Sequence, residues 1–282
     1  MKKNDLLWPL MGLLFFIGQS CTQQNAASSS DNKLPQAAAL TAKIDSTVEE
    51  APPVIEMDSS ISLDYLMGKF EPSSHPDFIL IDKAYASRNG MYLRKDAYEA
   101  FKKMHAAAQK AGIQLTIRSA TRNFNAQKAI WEGKWTGQRR LQGNEDASKR
   151  YPDPKARALK ILEWSSMPGS SRHHWGSDID LNAFNNEYFS KGKGLKEYEW
   201  LVAHAAAYGY CQPYSPKGEG GRPHGYNEER WHWSYLPFAL RCSQQAQLRL
   251  TNDLVQGFKG AEVAAEVEIV EKYVLGINPA CL

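Results

Sequence analysis

The sequence predicts an α+β domain in which helices flank a small antiparallel sheet. Short runs with period-two alternation, at residues 113–118, 176–182 and 231–235, are interspersed with longer runs of helical periodicity. The two kinds do not alternate regularly, as a doubly wound parallel sheet requires. A hydrophobic content of 43% over 282 residues, with 23% charged, is enough to bury a sizeable core and excludes a chain disordered throughout.

Taken in order, residues 78–81 (FILI) read as a buried strand, and Lys95–Lys110 as an amphipathic helix with Ala97, Phe101, Met104 and Ala108 on its inner face and Gly112 as its stop. Residues 113–118 form the next strand, with Ile113, Leu115 and Ile117 alternating. Helices are predicted over 125–135 and 154–164, the second capped by Asp153 with Pro154 in its first turn. Residues 176–182 are a half-buried strand, 195–208 a helix and 231–235 an aromatic-rich strand. Two helices, 236–256 and 261–275, close the chain.

Ahead of the domain, residues 1–21 read as an export signal, with Lys2 and Lys3 followed by an apolar run over 6–17. The run is too short to span a bilayer. Cys21 resembles the lipidated cysteine of bacterial lipoproteins, which implies a membrane-anchored protein facing the periplasm or cell surface. Residues 22–58 lack aromatics and apolar periodicity and are expected to be a flexible tether, leaving 59–282 as the folded domain. With 34 basic and 31 acidic side chains there is no concentrated positive charge for nucleic acid, and none for electrostatic attachment to a membrane. In an exported chain, Cys211, Cys242 and Cys281 are expected to supply a disulfide. The pair Cys211–Cys242 is preferred because both flank the second chemical segment described below.

Two segments carry chemistry. In Ser171-Arg172-His173-His174-Trp175-Gly176-Ser177-Asp178-Ile179-Asp180, imidazole and carboxylate groups of the zinc-ligand type stand seven residues apart. On one straight strand His173 and Asp180 would face opposite ways, so a bend is needed, and Gly176 supplies it. Beyond the bend Asp178, Asp180 and Asn182 share a face. In Glu229-Arg230-Trp231-His232-Trp233-Ser234-Tyr235, alternation projects His232 from a strand whose other face, Trp231, Trp233 and Tyr235, is read as core. Two imidazoles and a carboxylate fill three zinc positions, leave one for water, and put Glu229 in reach of its proton. Spacing alone does not choose between Asp178 and Asp180. His174 is read as a cleft-wall or supporting group, and His224 as solvated.

Together and in this order, Ser171-x-His173-x-x-Gly176-x-x-x-Asp180 and Glu229-x-Trp231-His232 resemble the zinc D-alanyl-D-alanine carboxypeptidase family of the vancomycin-resistance type, with its L,D-carboxypeptidase relatives. Upstream, Ser119-Ala120-Thr121-Arg122 with Gln127 is similar to that family's Ser-Gly-Tyr-Arg segment and its following Gln. Ala120, Thr121 and Asp178 depart from the family pattern. The resemblance implies one zinc ion held by His173, Asp180 and His232, Glu229 as catalytic base and Arg122 as oxyanion stabiliser. It implies substrate contacts from Gln127 and Ser171. The expected reaction is removal of the terminal D-amino acid, D,D- or L,D-linked, from peptidoglycan stem peptides. The alternatives are a peptidoglycan endopeptidase and a non-catalytic cell-wall binding protein on the same fold. The stretch 130–167 is longer than the family leads one to expect, and reads as a lid or as plain surface.

Overall fold

A computed structural model describes residues 55–218 and 221–282. The expected export signal, Cys21 and the tether up to residue 54 lie outside the described residues. The first described residues, assigned from sequence to the end of the tether, are tied to the domain. Gln245 Nε2 donates to the Glu56 carbonyl at 2.8 Å, and Arg241 Nε to Asp58 at 3.0 Å.

The chain opens with a short helix, α1 (Leu63–Leu66), whose Ser62 hydroxyl caps the Tyr65 N–H. Strands β1 (Phe78–Leu80) and β2 (Tyr92–Arg94) pair antiparallel. Only Phe78 and Ile81 of the expected buried run 78–81 are inside, because β1 is an edge strand that turns Ile79 and Leu80 to solvent. Helix α2 (Lys95–Lys110) has the predicted bounds and buries Ala97, Tyr98, Phe101, Met104 and Ala108. Each large apolar side chain so buried stabilises the domain by about 1.5–3 kcal/mol.

A four-stranded antiparallel sheet follows, formed by β3 (Ile117–Ser119), β4 (Asp178–Leu181), β5 (Tyr210–Cys211) and β6 (His232–Tyr235) in the order β3-β4-β6-β5. The run 113–118 becomes regular strand only at its end, where β4 pairs with it. Ile179, Leu181 and Trp233 pack from one face onto α2 and onto Leu201 of α6 (Gly192–His204). The opposite face carries polar groups, and its register matters: Asp180 stands across from His232 on one side and Ser119 on the other. Residues directly opposite on a sheet face lie within side-chain contact. The sheet therefore lines up a hydroxyl, a carboxylate and an imidazole.

Helices α3 (Phe124–Trp135), α4 (Ala147–Arg150) and α5 (Pro154–Ile161) cover the stretch between β3 and β4. Asn123 caps α3 and Asp153 caps α5 through their side chains. Helix α7 (Leu236–Arg249) runs directly from β6 and shares an apolar cluster with Trp131, Trp135, Trp175 and the C-terminal residues.

Two expectations for the C-terminal region need correcting. The helix expected over 236–256 ends at Arg249, where Leu250 turns extended and the chain restarts as a 3-10 turn, Asn252–Leu254. The helix expected over 261–275 is a 3-10 turn, Ala261–Val263, and a π-helical turn, Ile269–Val274, separated by Glu268 at φ 52°. Val263, Val267, Val270 and Val274 are buried at helical spacing while Glu262, Glu266 and Glu271 are exposed, so the helical stripe read from the sequence is present and the left-handed Glu268 interrupts it.

The preferred cysteine pairing is also overturned. Cys211 is bonded to Cys281, and Cys242 is a buried free thiol on the inner face of α7. The C-terminal turn is stitched beside β5, since the Asn278 N–H donates to the Pro213 carbonyl and its side-chain amide to that of Gln212. This brings Cys281 to Cys211, while Cys242 packs among apolar side chains.

Candidate active site

His173 sits on a buried 3-10 turn, Arg172–Trp175, that ends at Gly176 in the left-handed region at φ 73°. A Cβ at Gly176 would run into the Phe78 ring, so both the conformation and the close approach require glycine. This is the bend expected between His173 and Asp180. Backbone bonds then sew the turn to the loop after β3: Arg122 N–H donates to the His173 carbonyl at 3.1 Å. Below it, His174 accepts from the Gly169 N–H at Nε2 (3.0 Å), so its Nδ1 carries the proton and donates to the Arg122 carbonyl (2.6 Å). Burial pushes its pKa down to about 3 and keeps the ring neutral. His174 is a strut that positions the Arg122 backbone, and it faces away from the cavity.

Three side chains converge. His173 Nε2 lies 3.3 Å from Asp180 Oδ2, and His232 Nδ1 lies 3.0 Å from Asp180 Oδ1. One ligand atom from each residue can be chosen so that all lie within 4.8 Å of one another, and all three residues are buried. The far nitrogen of each ring is already committed. His173 Nδ1 is 2.9 Å from the Ala120 carbonyl oxygen, which makes it the protonated nitrogen and leaves the Nε2 lone pair free. His232 Nε2 is 2.8 Å from Asp178 Oδ2, which leaves Nδ1 facing the cluster. Such partners fix tautomer and ring orientation in metal sites.

Burial opposes charge on His232, yet hydrogen bonds and the negative charges of Asp178 and Asp180 outweigh it and push its pKa up to about 9, so a cation bound here would displace the Nδ1 proton. Burial also works against Asp180, but His173 and His232 hold its carboxyl well below the usual range. Burial, reinforced by the positive charge of Arg122, pushes His173 down and favours neutral imidazole. The Asp180 carboxylate stands between two imidazole nitrogens, and two imidazoles with a carboxylate are an N2O donor set that suits zinc.

Glu229 lies at the turn before β6, where the His232 N–H donates to its carbonyl at 3.2 Å. Its Oε2 is 3.5 Å from His232 Nδ1. Burial, offset in part by the charge of His232 and reinforced by that of Asp180, pushes its pKa up to about 8.

Arg122 lines the same cavity, of about 640 Å³. Its Nη1 donates to Ser119 Oγ (2.6 Å) and its Nε to Gln127 Oε1 (2.9 Å), with Asp180 Oδ2 3.7 Å away. Gln127, expected to touch substrate, is 1% exposed, and its Nε2 donates to the Ser166 carbonyl. Both ends of its amide are in use, so its evident work is to hold the guanidinium. Ser171 is buried without a partner for its hydroxyl and lies off the cavity lining. His224 is exposed, as expected.

Three features escaped the sequence reading. Asp178 is a fully buried hub: Oδ1 accepts from Ser177 and Ser234 hydroxyls, and Oδ2 from Arg172 and His232. Alternation placed it beside Asp180 without revealing these partners. Trp231, read as core, lines the cavity and stacks on Trp164 at 5.7 Å, while Trp233 is core as predicted. The 130–167 stretch, including Lys134, Arg139 and Trp164, builds one cavity wall.

The chain is 27% identical over 176 residues to the protein YodJ of Bacillus subtilis (strain 168), covering 61% of this chain and 56% of that one. It is 26% identical over 130 residues to a D-alanyl-D-alanine carboxypeptidase of Enterococcus faecalis (strain ATCC 700802 / V583), covering 46% and 43%. The chain thus spans about half the length of these curated relatives. Among solved structures it resembles the LdcB LD-carboxypeptidase (24% identity, TM-score 0.44, 73% of this chain and 81% of that one). It also resembles a mutant of a vancomycin-resistance D,D-pentapeptidase, VanY, in complex with Zn(II) (22%, TM-score 0.41, 56% and 78%). A family model described as VanY, D-alanyl-D-alanine carboxypeptidase, matches residues 90–238, more than half of the chain and all of the cluster above; the chain belongs to the VanY D-alanyl-D-alanine carboxypeptidase family.

Proposed function

We propose that this protein is a zinc-dependent carboxypeptidase that removes the terminal D-amino acid from peptidoglycan stem peptides. The observation that carries the reading is the convergence of His173 Nε2, Asp180 and His232 Nδ1 beside Glu229, with both imidazole tautomers set by Ala120 and Asp178. Those three residues would hold the ion. Zinc bound there supplies Lewis-acid polarisation of the scissile carbonyl and acidifies a water.

The protein's own groups do the rest. Glu229 takes a proton from the attacking water as the C–O bond forms, and delivers it to the amine nitrogen as the C–N bond breaks. Arg122, fixed by Ser119 and Gln127, faces the negative charge that develops on the carbonyl oxygen. A preorganised guanidinium needs no reorganisation at that moment. No acyl-enzyme forms, so serine-acylating β-lactams are expected not to inhibit.

The N-terminal signature supports an exported, lipid-anchored protein, and the Cys211–Cys281 bond suits an oxidising compartment. The test is product analysis by mass spectrometry on defined stem peptides. The reading requires release of a single D-amino acid by wild type, and loss of that release with zinc content retained in Glu229→Gln. Release of internal fragments would make the protein an endopeptidase, and full activity of Glu229→Gln would remove the base from the account.

A further inference from the structure

The two carboxylates that line the cavity, Asp180 and Glu229, are both committed to the metal cluster and the base. The same wall carries a further cation, a lysine. Helix α3 presents Gln127, Ile130 and Lys134 to the cavity at i, i+3 and i+7, while Trp131 and Trp135 turn to the core. Lys134 Nζ is hydrogen-bonded to the Ser165 hydroxyl, which also lines the cavity. Among the described residues no carboxylate forms an ion pair with it, although surface lysines of α3 and α5 do find such partners. Lys128 pairs with Glu132, and Lys160 with Glu163.

An ammonium kept partly buried with a hydroxyl as its hydrogen-bond partner is costly unless a counter-charge comes into contact with it. Burial lowers its pKa to about 8, so it is still a cation at neutral pH, and it feels the charges of both Glu229 and Arg122. It lines the same cavity as Glu229 and Arg122, where the bond to be cut must lie. In a carboxypeptidase substrate the free terminal carboxylate lies one residue beyond the scissile carbonyl, about 3.8 Å along the chain. A helical side chain leans toward its helix N-terminus, which tilts Lys134 back toward Gln127 and the guanidinium that Gln127 holds.

We propose that Lys134, supported by Ser165, is the anchor for the free C-terminal carboxylate of the substrate and so a determinant of exopeptidase specificity. This rests on the carboxypeptidase reading. A peptide whose carboxylate is blocked as an amide, or a bond inside a longer chain, leaves the ammonium uncompensated and is disfavoured. Ser165 holds the amine in place without neutralising it, so the anchor stays available to an incoming anion.

The test is calorimetric binding to the zinc-loaded full chain carrying Glu229→Gln, with a stem peptide ending in D-Ala-D-Ala as the free acid and as its C-terminal carboxamide. With Lys134 present the acid is expected to bind about 10- to 100-fold more tightly, the size of a charge-assisted hydrogen bond. Adding Lys134→Met should shrink that preference to about twofold or less. Lys134→Gln, which keeps a donor for Ser165, should do the same, whereas Lys134→Arg should retain most of it. An intact preference in Lys134→Met or Lys134→Gln overturns the proposal, as does equal binding of acid and amide when Lys134 is present. Failure of wild type to release D-alanine from the acid peptide would instead sink the carboxypeptidase reading, and the binding comparison judges Lys134 separately.

Discussion

Asp178 Oδ2 lies 2.8 Å from His232 Nε2, on the edge of the ring opposite the nitrogen that faces Asp180. Strand register causes this, because Asp178 and Asp180 flank Ile179 on one face of β4 and β6 runs antiparallel alongside. His232 is thus held between two carboxylates, one supporting and one sharing the proposed ion. Asp178 is in turn held by Arg172, Ser177 and Ser234, so its position is over-determined.

Asp178→Asn is expected to weaken zinc binding by about 10- to 100-fold without removing a ligand, the usual effect of deleting a supporting carboxylate. It also strips the buried Arg172 of its counter-charge, for a stability loss of roughly 3–5 kcal/mol. Competition with a fluorescent chelator and urea melts measure the two effects. Unchanged zinc affinity would leave Asp178 a purely structural residue.

Arg122→Lys removes the Nε bond to Gln127 along with the planar fork, and should lower kcat by about 10²–10³ with a smaller change in KM. Gln127→Leu leaves Arg122 in place but unguided. Its expected cost is about ten- to a hundredfold in kcat, the loss of one charge-assisted hydrogen bond. A Gln127→Leu effect confined to KM would argue for direct substrate contact instead.

The carboxylate anchor has a pH signature. Lys134 is cationic below its pKa of about 8 and neutral above it, so the preference for free-acid over amide substrate should decline as pH rises through that value. In Lys134→Arg the cation persists and the decline should vanish. Comparing the acid-to-amide ratio of kcat/KM across pH cancels the titration of Glu229, which affects both substrates alike. A decline unchanged in Lys134→Arg would assign it to another group.

The disulfide ties the C-terminal turn to the sheet across 70 residues. Cys281→Ser should destabilise the domain by about 2–4 kcal/mol, seen as a lower midpoint in denaturant. Zinc content should not change, because the bond lies on β5 and none of the proposed ligands does. Cys242→Ala should leave the disulfide count unaltered.

Much of this site was legible because its ligands sit on short strands with period-two alternation and beside an obligatory glycine. His232 against Trp233, and Asp180 against Ile179, could be assigned faces from the sequence, and Asp153 and Gly112 marked helix ends through local chemistry. What the sequence hid depended on distant partners. Asp178 looked like a rival ligand until the positions of Arg172 and Ser234 were known. Lys134 was one more cation on a helix, since only the tertiary fold shows that it faces the cavity and forms no ion pair among the described residues. The cysteine pairing failed because proximity in sequence to the second segment says nothing about which face of α7 Cys242 occupies. The helix expected over 261–275 failed because Glu268 turns left-handed in the middle of an otherwise periodic run, which periodicity alone does not signal.

The most direct test of the central claim is the metal content of the full chain, measured by mass spectrometry of the elements after zinc loading and extensive dialysis. One zinc per chain is expected in wild type and in Glu229→Gln, falling to about a tenth or less in His173→Ala and in His232→Ala once a ligand is lost. Full occupancy in either histidine variant, or none in wild type, would contradict the site described here.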